Sequence, residues 1–207
     1  KKNKSYFESQ GLQKQKGIII NRGEKNFEKY FYDLKKQDYD SIIMVLNSQE
    51  SQKLIKQMWQ NRLYLPIISH WGMVGDSFFQ ENKECLKDID LKFIQTFSLF
   101  KHTHKEARDL AKEYLKAYSK TSNSEINAIT GVGQAYDAVM LLATAVKKSK
   151  SLKAQDIKTA LENLDTYEGA LKIYKKPFDV TNHDSLSMED FFMAKFDEEG
   201  NIIPIRE

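Results

Sequence analysis

Ile42-Ile43-Met44-Val45-Leu46-Asn47-Ser48-Gln49-Glu50 is the stretch on which the fold turns. Its apolar run, bounded by polar residues, is too short for a helix and suits a strand covered on both faces. The run stops at Asn47. Asn47 or Ser48 can cap the helix that follows, in which Leu54, Ile55, Met58 and Trp59 recur at helical spacing. Glu50 falls in the first turn of that helix, where the dipole favours a negative charge. A buried strand handing over to an amphipathic helix is half of a βαβ unit, and predicts an α/β fold built on a parallel sheet with flanking helices.

Working outward, Ile18-Ile19-Ile20 is a β-branched run after a helix ending near Gly17. Gly23 and Asn26 then open a helix striped by Phe27, Tyr30, Phe31 and Leu34, with Lys35 and Lys36 suiting its C-terminal end. Downstream, Pro66-Ile67-Ile68-Ser69 predicts a third strand that runs out into His70-Trp71-Gly72 and Gly75. A bulky aromatic at the carboxyl end of a strand stands where open α/β sheets bind ligands. A short helix is expected from Asp76 to Leu86, and a strand with alternating exposure from Leu91 to Phe97. Thr103-His104-Lys105-Glu106 fits a capping box, opening a helix through Leu110, Tyr114 and Tyr118. Helices over Ile126 to Lys148 and Ala154 to Leu164 follow. The chain then turns β-rich, through Tyr167-Glu168-Gly169, Leu171, Ile173, Phe178, the run Phe191 to Phe196, and a turn at Glu199-Gly200-Asn201 before Ile202-Ile203.

Composition narrows the function classes. With 41% hydrophobic and 29% charged residues in 207, and only 9 Gly and 3 Pro, the chain has a globular composition. Its 32 basic and 29 acidic residues are interleaved, so no concentrated field points to nucleic acid or an anionic membrane. Cys85 is the single cysteine, so an intrachain disulfide is excluded and redox compartment stays open. No signal peptide is visible at the start of this chain. The apolar stretch Ala128 to Val146 is interrupted by Thr130, Gln134, Asp137 and Thr144, which suits a buried helix better than a membrane span.

Catalytic and metal chemistry find no support. Gly131-Val132-Gly133-Gln134-Ala135-Tyr136 lacks the third glycine of a dinucleotide motif and follows no predicted strand, so its glycines suit close helix packing. His70, His102, His104 and His183 show no metal-ligand spacing with Cys85 or with acidic pairs. There is no nucleophile elbow or phosphate loop. Catalytic residues, metal and cofactor are each expected to be none.

The ordered motifs resemble the type I periplasmic solute-binding proteins, in particular their branched-chain amino-acid (Leu/Ile/Val) binding branch. Gly23-Glu24-Lys25-Asn26-Phe27, then Leu34-Lys35-Lys36 and Asp40 before an apolar strand, is similar to that family's "GEKDF...LK...D" passage. Gly133-Gln134-Ala135-Tyr136-Asp137-Ala138 resembles its Tyr-Asp-Ala helix, Tyr167-Glu168-Gly169 its "F-x-G" turn, and Phe178-Asp179 with the Gly200 hairpin its closing strands. The resemblance spans nearly all of the chain, although the family's first part has no counterpart in it. It implies residues 1–100 as a second-lobe α/β domain lacking its first strand, 101–165 as helices returning to the first lobe, and 166–207 as a β tail recrossing the hinge.

The resemblance further implies a non-catalytic, periplasmic or otherwise extracytoplasmic protein. Two lobes close over a small polar solute, such as an amino acid or amide, for an ABC transporter, with a membrane permease or receptor component as partner. A sensor domain of a membrane signalling receptor is the alternative. In such proteins the solute is held at strand carboxyl ends, which makes Asn47, Ser48, Gln49, His70 and Trp71 the expected ligand-binding residues. Asn and Ser offer donors and acceptors, a helix start near Ser48 offers backbone N–H groups, and Trp71 can cover an apolar or cationic part. Where the amino-acid binders carry an acid for the ligand ammonium, this chain has Trp71.

Overall fold

A computed structural model describes residues 8–11, 16–75 and 77–205. In chain order its main elements are α1 (Glu28–Lys36), β1 (Ile42–Ile43), α2 (Ser48–Gln60), β2 (Ile67–His70), α3 (Phe78–Asn82), β3 (Leu91–Gln95), α4 (Lys105–Ala117), α5 (Ile129–Lys148), α6 (Ala154–Glu162), β4 (Thr166–Glu168), β5 (Ile173–Lys175), β6 (Phe192–Phe196) and β7 (Ile202–Pro204). One sheet has the order β1-β2-β3-β6-β7, and β4 and β5 form a separate two-stranded ribbon. The α/β expectation holds: β1, β2 and β3 are parallel, joined by helical crossovers, while β6 and β7 add antiparallel at the far side.

Period decides burial in each element. Along β3, Leu91, Phe93 and Gln95 are buried while Lys92 and Ile94 between them are only partly covered, the alternation a pleated strand imposes. The α2 stripe Leu54, Ile55 and Met58 joins Phe27 and Phe31 of the α1 region, Met44, Ile67 and Phe93 in one core. Full burial of such a side chain stabilises by roughly 1.5–3 kcal/mol. A second cluster gathers Phe97, Ala107, Ala111, Ile129 and Leu171 around the chain's exit from β3, and a third gathers Leu141, Ala145, Leu164 and Tyr174. Gly133 serves close packing: a Cβ there would sit 2.7 Å from the Phe97 ring and 2.8 Å from Leu171.

Several expectations need correction. The run from Ile42 to Leu46 is not a central strand: only Ile42–Ile43 joins a ladder, at the sheet's edge, and Ile43 and Val45 are 59% and 74% exposed. Its sequence suits two covered faces, but only the face bearing Met44 is covered, and the alternate face bearing Ile43 and Val45 is left open. Ile18 to Ile20 form no ladder among the described residues; Ile18 and Ile20 instead line a cavity with Tyr30, Phe31 and the Ile42–Leu46 run, while Ile19 is exposed. The helix expected to end near Gly17 falls largely outside the described residues, as does Asp76. The expected capping box at Thr103 is absent: His104 occupies the N-cap position, its Nε2 paired with the Gly169 carbonyl at 2.9 Å, and the Thr103 carbonyl accepts from Arg108. A capping box forms instead at Ser122 and Glu125.

Helix α5 is long and apolar enough to cross a membrane by length and composition. The expectation of a buried helix holds for one face only, since Val139, Met140 and Leu142 are exposed; on the covered face the polar interruptions are matched. Thr130 donates to the Gln95 side chain, and Asp137, 1% exposed, accepts from the Ala170 and Leu171 amides at 2.6 and 2.9 Å and from the Tyr174 hydroxyl at 2.9 Å. Burial, and then Asp137, push the Tyr174 phenol well above the usual range.

Candidate functional site

Parallel pairing sends β1 and β2 out at the same edge of the sheet. Ile42 and Ile43 pair with Ile67 and Ile68, and the Ser69 hydroxyl donates to the Met44 carbonyl at 2.7 Å. Asn47 and Trp71 therefore leave by the same edge, the carboxyl ends of the strands, where crossover topology leaves a crevice.

The five expected residues differ in how they present. Asn47 sits exposed at the N-cap of α2 with extended backbone, but its side chain makes no capping bond, and its carbonyl accepts from the Ser51 amide and hydroxyl. Ser48 is buried in the first turn, and Gln49 is exposed beside it. His70 is the last residue of β2 rather than part of a loop, and its Nδ1 accepts from the Gly72 amide at 3.1 Å. A Cβ at Gly72 would come within 2.4 Å of that ring, so glycine is what lets the strand end fold back onto the imidazole. The His70 Nε2 is shut off from solvent and has no partner among the described residues.

Trp71 opens a single 3₁₀ turn, 36% exposed, its ring edge-on to His70 and tilted over Phe191 at 6.1 Å between centroids. Phe191 immediately precedes β6, and no sequence signal placed it near Trp71, because the two meet only through β6 lying beside β3. Asn127 was likewise missed. A Cβ at Gly75 would lie 3.8 Å from Ser48 and 3.9 Å from the Asn127 side chain, so the start of α5 comes up against the carboxyl edge.

Between the sheet and the helices runs a polar seam. Gln95, Thr96 and Ser98 are all buried. Gln134 donates to the Thr96 hydroxyl at 2.8 Å, the Ser98 amide donates to His102 Nδ1 at 3.2 Å, and the Ser98 hydroxyl donates to the Ile202 carbonyl at 2.6 Å. Burial holds the His102 imidazole below its ordinary pKa. A cavity of about 580 Å³ lies beside the seam, lined by Val74, Gly75, Phe79, Tyr114, Tyr118 and Asn127 among others, and none of the five expected residues lines it.

No cluster of His, Cys, Asp and Glu among the described residues is arranged to hold a metal. The Cys85 thiol is buried, which raises its pKa and suits a packed rather than reactive sulfur. What the edge exposes is recognition chemistry, an indole and amide groups, with an imidazole nitrogen buried just behind them.

Comparison with known proteins places this architecture. The family model described as "Periplasmic binding protein" matches residues 2–201. No curated protein matches. Among solved structures, a periplasmic binding protein type 1 from Bordetella pertussis Tohama I is similar with a TM-score of 0.75 and 19% identity, over 90% of this chain and 51% of that one. The branched-chain amino acid transporter substrate binding protein of Streptococcus pneumoniae, in complex with isoleucine, gives 0.72 and 23%, over 88% and 48%. A solute binding protein of an ABC transporter from R. palustris, in complex with benzoate, gives 0.72 and 15%, over 98% and 52%. The chain spans about half the length of each, and at these identities the likeness is one of fold. Motif order, a parallel sheet with helical crossovers and the family match agree: the chain belongs to the type I periplasmic binding proteins.

Proposed function

We propose that the chain binds a small polar solute outside the cytoplasm, by hinge closure and without catalysis, for delivery to an ABC transporter through its membrane permease. The observation that supports this reading is the approach of two distant segments at one edge: Gly75, beside Ser48 at the strand ends, comes up to Asn127 at the start of α5. A solute lodged there touches both, so it stabilises the closed arrangement. In this reading residues 1–100 form one lobe, 101–165 helices of the other, and 166–207 a tail recrossing the hinge. Thr96 to Ser98 and the segment before Phe192 are the crossings. Asn47, Ser48, Gln49, His70 and Trp71 contact the solute. The proteins from Streptococcus pneumoniae and R. palustris, bound to isoleucine and benzoate, lend support through shared fold and through ligands that are both small carboxylates.

A thermal-shift screen of amino acids, short amides and small carboxylates tests it. A solute at a hundred times its Kd stabilises by about 2.7 kcal/mol. In a chain of this size that raises Tm by roughly 5–10 °C. A flat response across all three classes overturns the reading.

A further inference from the structure

We infer that Trp71 and Phe191 form an aromatic jaw in the proposed site, and that the solute it selects has a flat apolar body bearing a hydrogen-bond acceptor, an aromatic carboxylate or amide. This deepens the solute-binding reading and rests on it. The two rings come from positions 120 residues apart in the chain, tilted 35° at 6.1 Å, yet the indole keeps 36% of its surface open. A ring that is partly packed against its neighbours and partly open offers a stacking surface for a planar guest. Because Phe191 leads into β6 and Trp71 leaves β2, that surface bridges the strand ends and the returning tail.

The acceptor follows from His70. Its Nδ1 takes the Gly72 N–H, so that nitrogen holds a lone pair and the ring hydrogen is on Nε2. Nε2 is therefore a donor, and it lacks a partner in a place water does not reach. Such groups are rare in folded proteins unless something else pairs with them. The imidazole neighbours Trp71, ring centroids 6.1 Å apart, so a guest stacked on the indole brings its carboxylate or carbonyl to this donor once the contact between the two rings opens. A compact branched side chain gains little from such a wall.

The test uses the 207-residue chain carrying Trp59→Phe, which leaves Trp71 as its single indole. Benzoate, benzamide and isoleucine are titrated while emission is followed, and calorimetry on the unaltered chain gives the same affinities independently. Benzoate or benzamide should bind about tenfold or more tightly than isoleucine, the span of one aromatic contact. Whichever of the two is tighter assigns an anionic or a neutral acceptor. Phe191→Leu, which keeps the apolar packing, and His70→Phe, which keeps a ring but removes the donor, should each weaken that binding about tenfold. Saturable binding of isoleucine with none of either aromatic overturns the jaw and leaves solute binding standing. If no probe binds but the wider thermal-shift screen finds a solute, the jaw again falls alone; if that screen is flat as well, the solute-binding reading falls with it. Full affinity in both variants removes these two residues from the site.

Discussion

Three hydrogen bonds converge on the Asp137 carboxyl, from the Ala170 and Leu171 amides and the Tyr174 hydroxyl, and all of the donors are buried. Asp137→Ala strands those donors away from water, where each unpaired group costs about 1–3 kcal/mol. A loss of about 3 kcal/mol or more in chemical denaturation is expected, and a loss under 1 kcal/mol means the bonds are not holding the turn. The same geometry ties Tyr136-Asp137-Ala138 to Tyr167-Glu168-Gly169: one motif supplies the acceptor and the turn after the other supplies the donors. Neither motif announces that pairing in sequence. Glu50 makes a simpler clasp, accepting the Gly23 amide at 2.9 Å, and that bond holds its carboxyl below the usual glutamate range. The folded chain thus keeps Glu50 ionised to lower pH than the unfolded chain does. The clasp's stability is present above the ordinary glutamate pKa and is lost as pH falls through the lowered one. Glu50→Gln should flatten the acid limb of a stability-against-pH curve while changing the neutral plateau less than Asp137→Ala does; an unchanged acid limb would sink this assignment.

At the scale of elements, β1 shows where sequence pattern and structure part. Apolar continuity from Ile42 to Leu46 correctly marks a strand and the start of α2 at Ser48, and helical spacing correctly finds α1, α4, α5 and α6 to within a few residues. Periodicity cannot say which strand is a neighbour's neighbour, because ladder order is set by the crossovers and not by the residues themselves. The edge position of β1, and the entry of β6 beside β3, therefore had to come from the fold. One consequence is physical: Ile42 and Met44 donate their amides toward β2, so the intervening Ile43 amide faces outward from an edge that also exposes Ile43 and Val45. Apolar open edges recruit other strands. Val45→Lys should raise the monomer fraction of this chain in sedimentation velocity at high concentration without lowering Tm. Equal self-association in the parent and the variant would show that the edge does not pair.

At the scale of the whole molecule, the ends of β1 and β2 were legible and the segments that come to lie beside them were not. Asn47, Ser48, His70 and Trp71 could be picked out because a strand's end is a local event, written in the residues where an apolar run stops. Phe191 and Asn127 could not, since Phe191 comes beside Trp71 only because β6 pairs with β3, and Asn127 comes up to Gly75 only through the way the start of α5 packs. Ser98, in the first of the proposed crossings, is tied to β7. Its hydroxyl accepts from the Phe100 amide at 3.1 Å and donates at 2.6 Å to the Ile202 carbonyl, 104 residues further along the chain. Ser98→Ala leaves both backbone groups short of a partner and should cost about 1–3 kcal/mol in denaturant unfolding. If closure turns on these crossings, the variant also alters solute affinity severalfold although Ser98 is not among the residues proposed to touch the solute, because loosening one crossing changes the balance between open and closed arrangements. Calorimetry beside the denaturation curve separates the effects: a stability loss with unchanged affinity makes Ser98 a structural staple, and places the moving joint elsewhere in the seam.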